Sequence, residues 1–331
     1  MRVLKTARKA SYRLIPWVIT LVALYYAFRG VRWDILLSHI GETQPGWLAA
    51  AVVFTICSYL FRSRRWQSLF PAKVFNFSQA ARVLFLGFFM NNILPARAGE
   101  LVRAHMGARL ARQTRTLVLA TIASERLVDG LTISFMFVAF AIGVGDPSIS
   151  KELLYVAYFF AATGLAVLLI IALRKQLFAA INRLNLRINS RLSNYTNDRL
   201  QVFINGLTPL STANKLPLII VWSLIIWGVE LMVYKWITAS FAAKVSMPQC
   251  VLFLVAVNFA SLIPAAPAGL GVIEAVASAA LVSVGIQKEL ALSMVIAQHA
   301  IQYLVVGIPG AVIMLTWKKN LAQLRNEQDG R

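Results

Sequence analysis

Charged residues are scarce in this chain. They make up 14% of its 331 residues, where a soluble domain carries about 25%, so an ordinary water-facing surface cannot be built from them. Acidic residues are scarcer still, with 13 Asp and Glu against 33 Lys and Arg. The cysteines, Cys57 and Cys250, both lie in apolar blocks. They make neither a zinc spacing nor a disulfide framework, and read as packing residues. The histidines, His39, His105 and His299, fall in separate blocks, which argues against a metal site. HExxH, Walker and GxSxG motifs are all lacking, so soluble-type hydrolytic and nucleotide chemistry finds no support. No cofactor is implied.

What the chain has instead is apolar length. Hydrophobic residues make up 59% of it and come in long blocks, and a bilayer span needs about 20 of them in a row. The expected fold is an all-α integral membrane protein with about six full transmembrane helices. They are placed near Tyr12–Phe28, Gly46–Phe61, Thr116–Val144, Leu153–Leu173, Leu216–Phe241 and Leu290–Trp317. The basic stretch Met1–Arg13 and the apolar run behind it have the outline of a signal peptide. Tyr25, Tyr26, Phe28 and Arg29 stand where a small-residue cleavage site would be, so an uncleaved first span is expected.

The net charge of +20 does not point to nucleic acid, because the basic residues lie between apolar blocks and not on one soluble module. Membrane proteins hold Lys and Arg on the cytoplasmic side, where anionic lipid heads attract them. Assigned that way, 25 of the 33 basic residues fall on one side, and Arg29, Arg32, Lys151, Lys244 and Lys288 on the other. Both termini are then cytoplasmic. The four basic residues of Arg62–Lys73 are counted here as loop charge. Two further apolar regions, Phe75–Met106 and Met247–Val284, then begin and end on the same side. The first does so on the cytoplasmic side and the second outside. Each is expected to be a re-entrant helical hairpin, and the two are oppositely oriented.

The breaks inside these two regions resemble each other. Asn91–Val102 reads NNILPARAGELV, and Ser261–Ala275 reads SLIPAAPAGLGVIEA. Each leads to a carboxylate, Glu100 or Glu274. A single domain over residues 1–331 results, built as an inverted repeat with copies at about 46–144 and 216–317. Such repeats with broken helices mark midplane sites in transporters; hairpins that merely plug a bundle are the alternative. Between the copies, about 174–215 repeats Leu and Ile at helical spacing with arginines around them. That pattern suits an amphipathic helix on the cytoplasmic leaflet or a linker helix packed on the bundle.

Ionisable groups inside spans are costly and usually face a cavity or a partner. Thr121, Glu125, Asp129 and Thr132 share one helix face at i, i+4 spacing. Arg126 is placed to neutralise Asp129, which leaves Glu125 over as a head-group or proton site. At the first tip, Glu100 and Arg103 can pair, and Arg97 remains for phosphate, which guanidinium groups hold in bidentate fashion. Glu230, Gln298, His299 and Gln302 look isolated. His299 reads as a satisfied interior residue or as a proton relay.

The blocks NNILPARAGELVRA, ASERLVDGL and IPAAPAGLGVIEA resemble the signature blocks of the lysylphosphatidylglycerol synthase transmembrane (flippase-like) family, over nearly the whole chain. The resemblance implies transbilayer movement of a lipid or lipid-linked anionic head group across the bacterial cytoplasmic (inner) membrane. It also implies a site made of Arg97, Glu100, Arg103, Glu125, Arg126, Asp129 and Glu274. The hairpin tips would carry Asn92, Pro95, Gly99, Pro264, Pro267, Gly269 and Gly271. The chain ends soon after Trp317, so the soluble synthase domain of the bifunctional members, and with it lysyl transfer, is not expected. The expected partners are membrane phospholipids or lipid-linked saccharides, with no nucleic acid. A homo-oligomer and an envelope-lipid enzyme stay open as further partners. The competing function is that of a non-transporting accessory protein that regulates such an enzyme.

Overall fold

The computed structural model of the chain describes residues 2–70, 74–94, 98–143, 215–263 and 265–329, with scattered positions between 155 and 179. Among the described residues the regular structure is entirely helical. In order it comprises α1 (Arg2–Phe28), α2 (Trp33–Gly41), α3 (Pro45–Ser68), α4 (Phe77–Ile93), α5 (Gly99–Ala111), α6 (Arg115–Gly143), α7 (Leu216–Ser240), α8 (Met247–Ala260), the 3-10 turn Pro267–Gly269, α9 (Val272–Ser283) and α10 (Lys288–Asp329).

Local chemistry sets many of these boundaries. Asn76 and Gln79 bond each other's backbone N–H at 2.8 and 3.0 Å, a reciprocal cap that starts α4. Ser246 and Gln249 do the same for α8, with Pro248 in its first turn. Thr114 accepts from the Leu117 N–H ahead of α6. Arg112 ends α5 in the left-handed region, where the Gln113 N–H reaches back to Ala108.

Among the described residues, three helices are long and apolar enough to cross a membrane: Pro45–Ser68, Leu216–Ser240 and Lys288–Trp317. The other expected spans differ. The apolar part of α1, Ile15–Phe28, is shorter. Helix α6 is long enough but carries Glu125, Arg126 and Asp129 near its middle. Most of Leu153–Leu173 and nearly all of the amphipathic segment 174–215 lie outside the described residues. Helix α2 was not expected. Its Leu36 packs on Val31 and Leu292.

Helix α3 also runs beyond the expected end at Phe61 to Ser68. Its sequence has no breaker there, and arginine is a good helix former. Arg62 and Arg65 are therefore buried helix residues, at 7% and 0% exposure, and not loop charge.

The chain divides into two compact units. One comprises Met1–Tyr59, Arg82–Arg103 and Val229–Arg331; the other comprises Leu60–Ala81 and Ala104–Gly228. The first unit contains both chain breaks. There α4 and α5 meet backbone to backbone. A Cβ on Gly99 would collide with the Gly87 carbonyl oxygen and with Asn91, and one on Gly87 would meet Arg103 Cβ at 2.8 Å. Gly87 opposite Arg103 and Asn91 opposite Gly99 is an antiparallel register. Helices α8 and α9 also pack on each other, and α9 packs on α1 and α10. The Gln249 side chain donates to Val284 O at 3.2 Å, which joins the start of α8 to the end of α9. Phe89 of α4 lies where a Cβ on Gly310 of α10 would fall.

In the second unit, Trp66, Phe70 and Phe75 form an aromatic cluster with ring centroids 4.9 to 5.4 Å apart. Gly107 lets Trp66 and Val118 approach α5.

Candidate functional site

Two buried polar clusters stand out, one in each unit. In the second unit the centre is Asp129 on α6. Its Oδ1 accepts from Arg65 Nη1 at 2.7 Å and from Trp227 Nε1 at 3.0 Å. Arg62 Nη1 lies 3.5 Å from Oδ2, and the Arg62 guanidinium stacks 4.8 Å from the Trp227 ring centroid. Arg65 Nη1 also donates to Ser223 Oγ at 2.9 Å. About two turns earlier on α6, Thr121 accepts from Trp66 Nε1 at 3.2 Å.

On the expected polar face of α6, Thr121, Glu125 and Asp129 are buried and Thr132 is half-buried. Its electrostatics differ from expectation. Asp129 is paired mainly with Arg65 and Arg62 from α3, and Arg126 one turn back adds a weaker attraction. Helix α3 brings two guanidinium groups to the carboxylate, whereas Arg126 shares its own helix. Glu125, expected to be left over, has a partner of its own, as has Arg126.

Arg65 is bonded on one side only. Its Nε and Nη2 are buried and have no hydrogen-bond partner among the described residues. These two atoms form the side-on edge of a guanidinium, with parallel N–H bonds that match two oxygens of a phosphate or carboxylate.

The first unit's cluster follows α10. His299 Nδ1 lies 2.6 Å from Glu274 Oε1, and the Gly271 N–H donates to Glu274 Oε2 at 2.7 Å. Ser58 donates to Glu230 Oε2 at 2.5 Å, Gln302 to Glu230 Oε1 at 3.4 Å, and Gln298 to the Tyr234 hydroxyl at 3.4 Å. The polar residues of α7 and α10 that looked isolated in sequence are thus bonded to partners on other helices.

The second break is clamped from α1. Thr20 Oγ1 accepts from Ala266 N at 2.9 Å and donates to Leu270 O at 3.2 Å. Gly269 and Gly271 take positive φ, +77° and +81°. A Cβ on Gly271 would meet Leu24 Cγ and Thr20 O at 2.8 Å, so glycine is required there. Pro267 opens the short 3-10 turn.

The expected site residues fall in both units. Glu100, Arg103 and Glu274 belong to the first, and Glu125, Arg126 and Asp129 to the second. Arg103 is 2% exposed, and Glu100 sits in the first turn of α5. Asn92 ends up half-buried near the end of α4. Pro95, Arg97 and Pro264 lie outside the described residues. Sequence reasoning missed Arg62 and Arg65. Their i, i+3 spacing on an unbroken continuation of α3 was the available signal.

A helical protein with three bilayer-length apolar helices and ionic clusters buried among them is a multi-span membrane protein. The chain belongs to the family described as the lysylphosphatidylglycerol synthase TM region, whose model matches residues 13–310. It is similar to a UPF0104 membrane protein of Pyrococcus horikoshii, at 23% identity over 94% of this chain and 98% of the relative. It is also similar to a UPF0104 membrane protein of Methanocaldococcus jannaschii, at 26% identity over 72% of this chain and 99% of the relative. A second protein of that organism and description is 26% identical over 51% of this chain and 52% of the relative. These likenesses place the protein among membrane proteins of lipid metabolism or transport.

Proposed function

We propose that the protein moves the anionic head group of a lipid or lipid-linked molecule across the cytoplasmic membrane, as a transporter and not as an enzyme. The observation that carries this reading is the side-on edge of Arg65. A buried donor without an acceptor costs about 1–3 kcal/mol, more when charged. Arg62, Arg65 and Asp129 together carry one net positive charge at a depth where charge is expensive. An oxyanion such as a lipid phosphate would satisfy both the geometry and the charge.

The two broken segments support the same reading. Each is taken as a re-entrant hairpin, α4–α5 entering from the cytoplasm and α8–α9 from outside. Thr20, which clamps the second break, lies near the middle of the apolar stretch Ile15–Phe28. Irregular backbone at that depth is tolerated only where protein or a wet cavity covers it. Both termini are cytoplasmic in this reading, and the substrates are phospholipids or lipid-linked saccharides.

The test is lipid movement in vesicles of phosphatidylcholine carrying fluorescently labelled phosphatidylglycerol. Wild type should speed labelled-lipid transfer over empty vesicles. Arg65→Lys keeps the charge but loses the fork, and should slow that transfer about 10–100-fold, the worth of one charge-assisted bidentate contact. Equal rates for wild type, Arg65→Lys and empty vesicles would refute transport and favour an accessory role.

A further inference from the structure

Glu274 is held at both oxygens, by His299 through Oε1 and by the Gly271 N–H through Oε2. Both side chains are buried, with residue exposures of 6% for Glu274 and 5% for His299. At 2.6 Å, a proton lies between the imidazole and the carboxylate. The other ring nitrogen, His299 Nε2, makes no hydrogen bond among the described residues. Two charge states follow. With Nε2 bare the pair carries one negative charge; with Nε2 protonated it is a neutral imidazolium–carboxylate pair. A buried net charge costs several kcal/mol, so proton content and the packing around the pair are linked. A proton, unlike a metal ion or a solute, needs no cavity, and this pair bridges the packed helices α9 and α10.

The location gives that linkage a consequence. Glu274 lies in the first turn of α9 and closes it through the Gly271 N–H, at the exit of the second break. Thr20 holds the same break from α1 through a hydroxyl that does not titrate. One side of the break is thus fixed by a neutral clamp and the other by a titratable one. At a rise of about 1.5 Å per residue, His299 lies roughly 16 Å along α10 from Lys288, near the middle of a hydrocarbon core of roughly 30 Å.

Few other ionisable groups face the pair. From α10 comes Tyr303, its ring centroid 5.0 Å from that of His299. Helix α1 presents Thr20 to the break, while Tyr25 and Tyr26 are exposed. On α8 the ionisable group is Cys250, in contact with Thr238. Helix α2 meets α10 through Leu36 and Leu292, where Arg32 and Glu289 pair with each other.

We infer that Glu274 and His299 form a proton-binding site that latches the second break to α10. Resting on the transport reading above, head-group movement is coupled to proton uptake and release at this site.

The experiment has two arms. In the first, purified full-length protein in detergent is titrated from about pH 8 to about pH 5, and bound protons are counted with a pH-sensitive dye. Wild type should bind about one proton per chain more than His299→Gln, which keeps an N–H donor but cannot titrate. His39 and His105 are common to both and cancel. Glu274→Gln, which keeps an acceptor for Gly271, serves as the second variant and should also change the count. In the second arm, transfer of labelled phosphatidylglycerol is followed in phosphatidylcholine vesicles with and without a pH gradient. The gradient should change the wild-type rate several-fold and leave the rate of His299→Gln unaltered. A proton count unchanged in both variants overturns the site. A changed count with wild-type transfer that ignores the gradient overturns the coupling. If no protein moves lipid but the count still differs, the transport reading fails and the proton site stands.

Discussion

Gly99 lies so close to the Gly87 carbonyl oxygen that a methyl group on it would overlap that atom, and Asn91 as well. The contact is made in the first turn of α5, directly after the first break, where two helices turn back on each other. Backbone cannot move aside as a flexible side chain can, and overpacking typically costs about 1–3 kcal/mol. Gly99→Ala should therefore lower the thermal midpoint in detergent, against the gain in helix propensity. Gly130 on α6 is the control, because a Cβ there would meet nothing within 4 Å. Gly130→Ala should raise the midpoint, by up to about 1 kcal/mol in stability. Shifts of the same sign in the two variants would show that α4 and α5 do not approach this closely.

Asp129 is the carboxylate that makes two buried arginines tolerable on α3. Asp129→Leu leaves Arg65, with no exposed surface, beside Arg62 without their shared counter-charge. Breaking a buried pair from one side costs about 3–5 kcal/mol, whereas replacing both partners by apolar groups is often neutral. The double variant Asp129→Leu with Arg65→Met should thus be more stable than Asp129→Leu alone. The cycle should give a coupling of about 1–3 kcal/mol. Additive losses in detergent unfolding would mean that Arg65 and Asp129 do not act as a pair.

Much of this architecture is legible in the sequence, because apolar length is a local property. The bounds of α7, the apolar stretch Lys288–Trp317 of α10 and the two broken regions follow from runs of hydrophobic residues and from Pro and Gly within them. The polar face of α6 is equally local, since Thr121, Glu125 and Asp129 are neighbours on one helix. Partners are not local. Arg65 meets a carboxylate on α6, and Glu274 meets an imidazole on α10, across connections whose geometry the residue spacing does not encode. Arg62 and Arg65 read as loop charge in the sequence for a further reason. A basic residue after an apolar run is usually topogenic, and only the unbroken helix and the buried acid overrule that default.

The proposed opposite insertion of the two broken regions predicts which ends reagents can reach. In the second region, the Gln249 bond to Val284 O holds the start of α8 beside the end of α9. A segment that crossed fully would separate its ends by roughly 30 Å. With Cys57 and Cys250 replaced by alanine, single cysteines at Met247 and Ser283, both exposed, should react with an impermeant maleimide from outside intact cells. The first region has the matching antiparallel register of Gly87 with Arg103 and Asn91 with Gly99, and in the proposed topology it enters from the cytoplasm. Cysteines at the exposed positions Ser78 and Gln113 should then label only after the membrane is permeabilised. Reaction of one end from outside and the other from inside, in either region, would make that region a full crossing. The inverted repeat, and with it the proposed head-group passage, would fall.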